Sequence, residues 1–143
     1  MLVSLILKQK PQGVITALPS ITVSDLAQLL AEKKIGSVVL SHDGKSIDGI
    51  VSERDIVRAL AQKGAESLRG PVSAIMTRKV ITCTPEERAD TVLQRMTDGR
   101  FRHVPVVASG ALIGLISIGD VVKARLSELS MEKEALEGMI KGY

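Results

Sequence analysis

The stretch Gly49–Leu60, GIVSERDIVRAL, decides how this chain folds. An apolar run of strand character passes straight into a helical pattern, with Ser52 and Asp55 at the joint. The joint recurs as GLISIGDVVKAR, Gly114–Arg125, where Ser117 and Asp120 each stand 65 positions after their counterparts. Ser-x-x-Asp at a helix start is a capping box: the hydroxyl accepts from a backbone amide and the acid reaches back. The same geometry suits a ligand. A helix N-terminus offers free amides and a positive dipole end to an anion. A Ser hydroxyl there adds a donor to a phosphate, and an Asp one turn in accepts from two vicinal ribose hydroxyls. Glu or Gln is the usual box partner, so Asp at both joints leans towards the ligand.

Working outward, the whole neighbourhood is duplicated. Val23, Leu26, Ala27 and Leu30 form one apolar helical face, and Ala89, Val92, Leu93 and Met96 repeat it 66 positions on. The β-branched run IGSVVLS (Ile35–Ser41) matches FRHVPVV (Phe101–Val107). Glycine-containing turns follow, HDGK and ASGA, then the joints. The offset falls from 66 to 65 across the turn, so the second turn is one residue shorter. Each unit reads as helix, strand, hairpin, strand, helix behind a short extended piece, GVITALPSITV or KVITCTPEERA. The fold class is α/β in the α+β sense. A unit of about 60 residues is marginal alone, so the two are expected to close one pseudo-twofold core. Pro105 falls in a strand of the second unit, which predicts an edge or strand-start position.

Composition narrows the function. The chain has 143 residues, 45% apolar, with no Trp, one Phe (Phe101) and one Tyr (Tyr143). The core must be aliphatic, and no platform of rings exists for stacking bases. The net charge of +3 is too weak to imply nucleic acid. Between Asp98 and Asp120 there is no carboxylate, while Arg100, Arg102 and His103 are present, a field suited to a small anion. Cys83 is the only cysteine, which excludes a disulfide framework and makes a cytoplasmic protein the expectation. His42 and His103 give no spaced metal set.

The start, MLVSLILKQK, is too short to span a membrane and is expected to pack on the body. At the other end Val122, Leu126, Leu129, Lys133, Leu136 and Ile140 are spaced 4, 3, 4, 3, 4. That stripe either lies on its own body or forms a dimer contact.

With both joints, the hairpins before them and MTDGRFRHVPVV (Met96–Val107) in place, the chain resembles the paired cystathionine-β-synthase (CBS) domain module over about residues 8 to 127. It is similar to small stand-alone bacterial CBS-pair proteins. The resemblance implies two βαββα-type repeats in one pseudo-twofold Bateman module, assembled as a disc-shaped homodimer. Repeat 1 would span 8–64, a linker 65–75, repeat 2 76–127 and a C-terminal helical extension 128–143. It further implies a regulatory module for an adenosyl effector such as AMP, ADP, ATP, NAD(H) or S-adenosylmethionine, with no required cofactor and no metal. Carried over residue by residue, Asp55 and Asp120 hold ribose, and Ser52 and Ser117 sit at its phosphate or ribose end. Arg102 and His103 reach phosphate, with Gly36 and Ser37 as their repeat-1 counterparts. Arg54 and Ile116 flank the joints. Backbone near Gly13, Val14 and Ile15, and near Thr77 and Val80, meets the base. Family pockets mix both repeats, so Asp55 is expected with Phe101–His103 and Asp120 with Ile35–Ser37. Gly36 and Ser37 replace two basic residues, so the Asp120 pocket is expected to be less positive.

Other chemistries find no support. The Gly-Lys-Ser of DGKS (Asp43–Ser46) lacks the P-loop's leading glycine, since Val39 stands there. No dinucleotide-binding glycine fingerprint occurs, and no partner marks His103 as a general base. Cys83 reads as a small buried residue. The chain is therefore expected to be non-enzymatic, to bind neither nucleic acid nor membrane, and to act on an effector protein or its own dimer. A structural interaction module without ligand control is the alternative.

Overall fold

The computed structural model describes residues 1–10 and 13–141. Helix α1 (Val3–Gln9) and a short strand β1 (Thr16–Ala17) lead into α2 (Val23–Lys33), β2 (Ser37–Leu40), β3 (Gly49–Ser52) and α3 (Glu53–Lys63). Two 3-10 turns, Gly64–Arg69 and Val72–Ala74, connect to α4 (Ala89–Gly99), β4 (His103–Ala108), β5 (Ala111–Ser117) and α5 (Ile118–Ile140). The two apolar helix faces form as the spacing requires: α2 buries Val23, Leu26 and Leu30, and α4 buries Ala89, Val92 and Met96. Both helices stop at a left-handed residue, Lys34 (φ 55°) and Arg100 (φ 58°), which turns the chain into the next strand. Their starts differ. Thr22 Oγ1 accepts from the Asp25 amide at 3.1 Å, whereas Arg88 gives α4 no side-chain cap.

In the first half β1 runs parallel to β2, and β2 pairs antiparallel with β3. In the second half β4 and β5 pair antiparallel, and Cys83 bridges Val106 as Ala17 bridges Leu40 in the first. Pro105 lies mid-strand on the side away from β5. Its carbonyl accepts from the Cys83 amide, and the Val107 amide donates to Cys83 O on that same side. The missing Pro105 N–H therefore costs the β4–β5 ladder nothing.

The hairpins are less alike than the sequence implies. Ser109 and Gly110, both at positive φ (53° and 76°), make a tight two-residue turn between β4 and β5. The β2–β3 connection is instead a longer loop, Ser41 to Asp48, organised by Asp43. The Asp43 carboxylate accepts from the Lys45 and Ser46 amides at 2.8 and 2.7 Å. Asp does this readily because its short side chain reaches its own backbone two residues on.

The pseudo-twofold extends further than the sequence motifs. VSLIL (Val3–Leu7) and VSAIM (Val72–Met76) are a further repeat, 69 positions apart. Each packs on the opposite half. Val3 and Ile6 belong to the core of the second half, with Val92, Val104 and Ile116. Val72 belongs to the core of the first, with Leu26, Val38 and Val51. The backbone bonds match one for one. Val3 N, Ser4 N and Ala89 N pair with Glu87 O, Pro85 O and Met1 O, while Val72 N, Ser73 N and Val23 N pair with Ile21 O, Pro19 O and Gly70 O. The two halves thus exchange their leading segments. Glycines make room for them. A Cβ on Gly114 would lie 2.6 Å from Leu7 Cδ2, and one on Gly49 would lie 2.6 Å from Met76 Sδ and 2.9 Å from Thr77 O.

The C-terminal stripe does not fold back on its own body. α5 continues unbroken from the joint, burying Val121 and Ala124, while Val122, Leu126, Leu129, Leu136 and Ile140 are exposed. No helix among the described residues is long and apolar enough to cross a membrane.

Candidate functional site

Both capping boxes form. The Ser52 amide donates to Asp55 Oδ2 at 2.8 Å and the Ser52 hydroxyl to the same oxygen at 3.1 Å. The Ser117 amide donates to Asp120 Oδ2 at 2.8 Å, and Ser117 Oγ accepts from the Asp120 amide at 3.0 Å. Capping does not exhaust the acids, because each box uses Oδ2 alone. Each joint is also tied to the segment before the neighbouring strand. Glu53 N donates to Gly36 O at 3.0 Å and Ile118 N to Arg102 O at 2.9 Å. These bonds hold the two functional readings of the sequence, box and pre-strand pair, side by side.

Each joint opens into a cleft walled by the other half. The first, of about 440 Å³, gathers Ser52, Arg54 and Asp55 with Thr77, Val80, Phe101, Arg102 and His103. The second, of about 520 Å³, gathers Ser117 and Asp120 with Gly13, Val14, Ile15 and Ile35. The first cleft thus brings Asp55 together with Phe101–His103, and the second brings Asp120 together with Ile35–Ser37. Gly36, Ser37 and His103 line both clefts and form a shared wall. Gly36 is tightly enclosed, since a Cβ there would lie 3.1 Å from Glu53 Oε1 and 3.6 Å from His103 Cε1. The Ser37 hydroxyl is committed to Val51 O at 3.1 Å. Burial pushes the His103 imidazole below its ordinary pKa against the pull of Asp120, so the shared wall holds a neutral ring at neutral pH.

Ile116 requires correction. It is fully buried in the second core and lines neither cleft. Strand alternation turns Leu115 and Ser117 to the cleft and Ile116 to the opposite face.

The sequence reading missed part of the charge. Arg58 and Lys79 join Arg54, Arg100 and Arg102 around the first cleft, against Glu53 and Asp55. The second cleft has only Lys10 and Lys34 against Asp120. It is the less positive of the two, as the Gly36–Ser37 pair implies, but it is not without cations. Lys10 Nζ donates to Asp120 Oδ2 and to Leu115 O at 3.0 and 2.6 Å. Burial works to raise the Asp120 pKa, yet the Ser117 amide and Lys10 outweigh it and hold the carboxyl below its ordinary value. Asp55 has a looser partner, Arg58 of its own helix at 3.7 Å, exposed to solvent.

Beside Phe101 in the first cleft, the apolar walls are aliphatic: Ile50, Val80 and Ile81 in one cleft, Val14, Ile15, Ile35 and Ile113 in the other. Flat apolar surface next to a carboxylate and cations can take a planar heterocycle, a diol and an anion together.

Comparison with known proteins agrees with this architecture. The CBS domain family model matches residues 11–62 and again 72–127. The chain is similar to the crystal structure of a CBS-domain containing protein from Agrobacterium tumefaciens, at 45% identity and TM-score 0.84, over 87% of this chain and 99% of that one. A CBS domain protein from Pyrobaculum aerophilum, complexed with AMP, is 31% identical with TM-score 0.78, over 92% of this chain and 99% of that one. The CBS domain pair of protein MJ0100, in complex with 5′-methylthioadenosine and S-adenosyl-L-methionine, is 28% identical with TM-score 0.78, over 90% and 98%. The chain spans 61% and 22% of the first two curated relatives it matches, both CBS domain-containing proteins of Arabidopsis thaliana. Two matched repeats, a duplicated joint and a shared fold place the chain in the CBS domain family, as a pair of CBS domains in one polypeptide.

Proposed function

We propose that the chain is a regulatory module that binds an adenosyl ligand in the clefts beside Asp55 and Asp120 and passes occupancy to a partner protein or to its own dimer. The observation that carries this reading is the pairing of each joint carboxylate with the facing segment of the other half. A ligand there touches both repeats, so it binds one arrangement of the halves better than another and shifts the population between them. Asp55 and Asp120 accept from the ribose hydroxyls, and the helix N-termini with Ser52 and Ser117 meet the phosphate or ribose end. Arg102 and the cations around it favour phosphate in the first cleft. The aliphatic walls hold adenine. One relative is complexed with AMP and another with 5′-methylthioadenosine and S-adenosyl-L-methionine, which supports the ligand class. The role is binding rather than catalysis.

Isothermal titration of AMP, ATP, NADH and S-adenosylmethionine into wild type, Asp55→Ala and Asp120→Ala tests the reading. At least one ligand is expected to bind wild type below millimolar concentration. Asp55→Ala is expected to weaken the first cleft by about 10- to 100-fold, the worth of hydrogen bonds to a charged group. Binding unchanged in both variants would reject the site.

The exposed stripe of α5 favours a homodimer, and, without ligand control, a purely structural interaction role. Sedimentation of a chain cut after Leu126 distinguishes these: a monomer is expected, and an unaltered dimer would remove α5 from the interface.

A further inference from the structure

We propose that Lys10 is a resident occupant of the Asp120 cleft, a tethered ammonium that a ligand must displace before the carboxylate can take a ribose diol. The proposal rests on the adenosyl-ligand reading of that cleft. Lys10 is delivered by α1, which is anchored on the second half by buried Val3 and Ile6 and by Leu7 over Gly114. Its ammonium donates to two acceptors, Asp120 Oδ2 at 3.0 Å and Leu115 O at 2.6 Å. The Lys10 and Asp120 side chains are only 33% and 25% exposed, so solvent screens the pair incompletely.

The repeat explains why only one cleft is occupied in this way. From Leu7 to Val14 the chain takes seven steps, but from the matching Met76 to Val80 it takes four. The three extra residues lie in the stretch that carries Lys10. Among the described residues, Asp55 meets no cation from the opposite half at salt-bridge distance, only Arg58 of its own helix at 3.7 Å. The two clefts are thus graded. The Asp55 cleft stands open, and a ligand enters the Asp120 cleft by exchanging its hydroxyls for the Lys10 ammonium. The displaced lysine pulls on the end of α1, so filling of this cleft is transmitted to the N-terminal segment.

The test is calorimetric titration of AMP into the full-length Asp55→Ala chain, which isolates the Asp120 cleft, with Lys10, Lys10→Met or Lys10→Arg. Methionine keeps the aliphatic stem and removes the charge. Loss of a charge-assisted contact from the competing state is expected to tighten AMP about tenfold in Lys10→Met. Lys10→Arg is expected to return the affinity towards the lysine value, which a merely structural role for the stem would not do. In an Asp120→Ala chain, Lys10→Met is expected to leave AMP at the Asp55 cleft unchanged. AMP bound equally or more weakly by Lys10→Met overturns the proposal, the weaker case marking Lys10 as a ligand contact. Failure of AMP to bind either Asp55→Ala chain also overturns it. If Asp120→Ala still binds AMP, the adenosyl-ligand reading survives that failure; if no chain binds, both fall.

Discussion

The clefts at Asp55 and Asp120 share a frame and differ in what faces it. Each has a Ser–Asp box, a helix N-terminus, a backbone bond from the joint to the pre-strand segment, and aliphatic walls. One is ringed by arginines, Arg54 and Arg58 from its own half and Arg100 and Arg102 from across the pseudo-twofold. The other is met by a lysine from the N-terminal segment that bonds its acid directly. The lesson is that folding and binding place different demands on the same joint. The box must be kept on both sides because it starts a helix; the facing residues start nothing, so they are free to make two unlike sites from one duplicated frame.

The comparison can be broken first in the cores. Leu26 and Val92 occupy matching positions, both fully buried. Leu26→Ala is expected to cost about 3 kcal/mol in urea unfolding, and Val92→Ala less, because a smaller void opens. Equal losses would mean that the two clusters do not share one packing plan. The glycine notches come next. A methyl on Gly49 meets Thr77 O, a backbone atom, whereas one on Gly114 meets only the end of Leu7. Gly49→Ala is expected to cost about 1–3 kcal/mol and Gly114→Ala less, since a leucine rotamer can yield. Reversal of that order would show that α1 is the more rigid seal.

The third contrast is one of pH. Cys83 stands where Ala17 stands in the first half, and burial pushes its thiol up to about 11. The folded thiol stays protonated where the unfolded one ionises, so its contribution is intact below the ordinary value of 9.0 and is lost as pH rises towards 11. Wild type is expected to lose more stability than Cys83→Ala between pH 8.5 and 10.5, a range set by that shift. Parallel losses in chemical denaturation would show that the thiol does not titrate with folding. The smallest effect lies at the caps. Thr22→Ala is expected to cost about 1 kcal/mol, and Arg88→Thr to recover a fraction of that by supplying the cap α4 lacks. A destabilised Arg88→Thr would mean that the arginine is needed for another contact.

Much of this frame was legible beforehand because it is local. The Ser–Asp boxes, the apolar faces of α2 and α4 and the strand runs are set by neighbours within a few residues. The cross-pairing of Asp55 with Phe101–His103 was legible only through the family resemblance. Ile116 was misplaced because strand alternation sets it on the face opposite Ser117, in the core rather than the cleft. Lys10 escaped for a different reason. The VSLIL and VSAIM segments repeat at an offset of 69 while the rest repeats at 66 and 65, so the extra residues hid the match. Nothing local announces that a lysine after α1 will reach an acid 110 positions away. The longer β2–β3 loop was likewise hidden, because both turns contain a glycine and only one uses it in a tight hairpin.

The exchange of leading segments has a consequence for how the chain is made. The residues that seal the second half leave the ribosome well before the half they seal, since β5 and α5 are completed more than a hundred residues later. At ordinary synthesis rates α1 waits on the order of ten seconds with Val3 and Ile6 uncovered. The first half meets a shorter delay, because its own seal, Val72–Met76, is translated shortly after α3. Vectorial synthesis therefore lets one half close early and holds the other open until α5 is made.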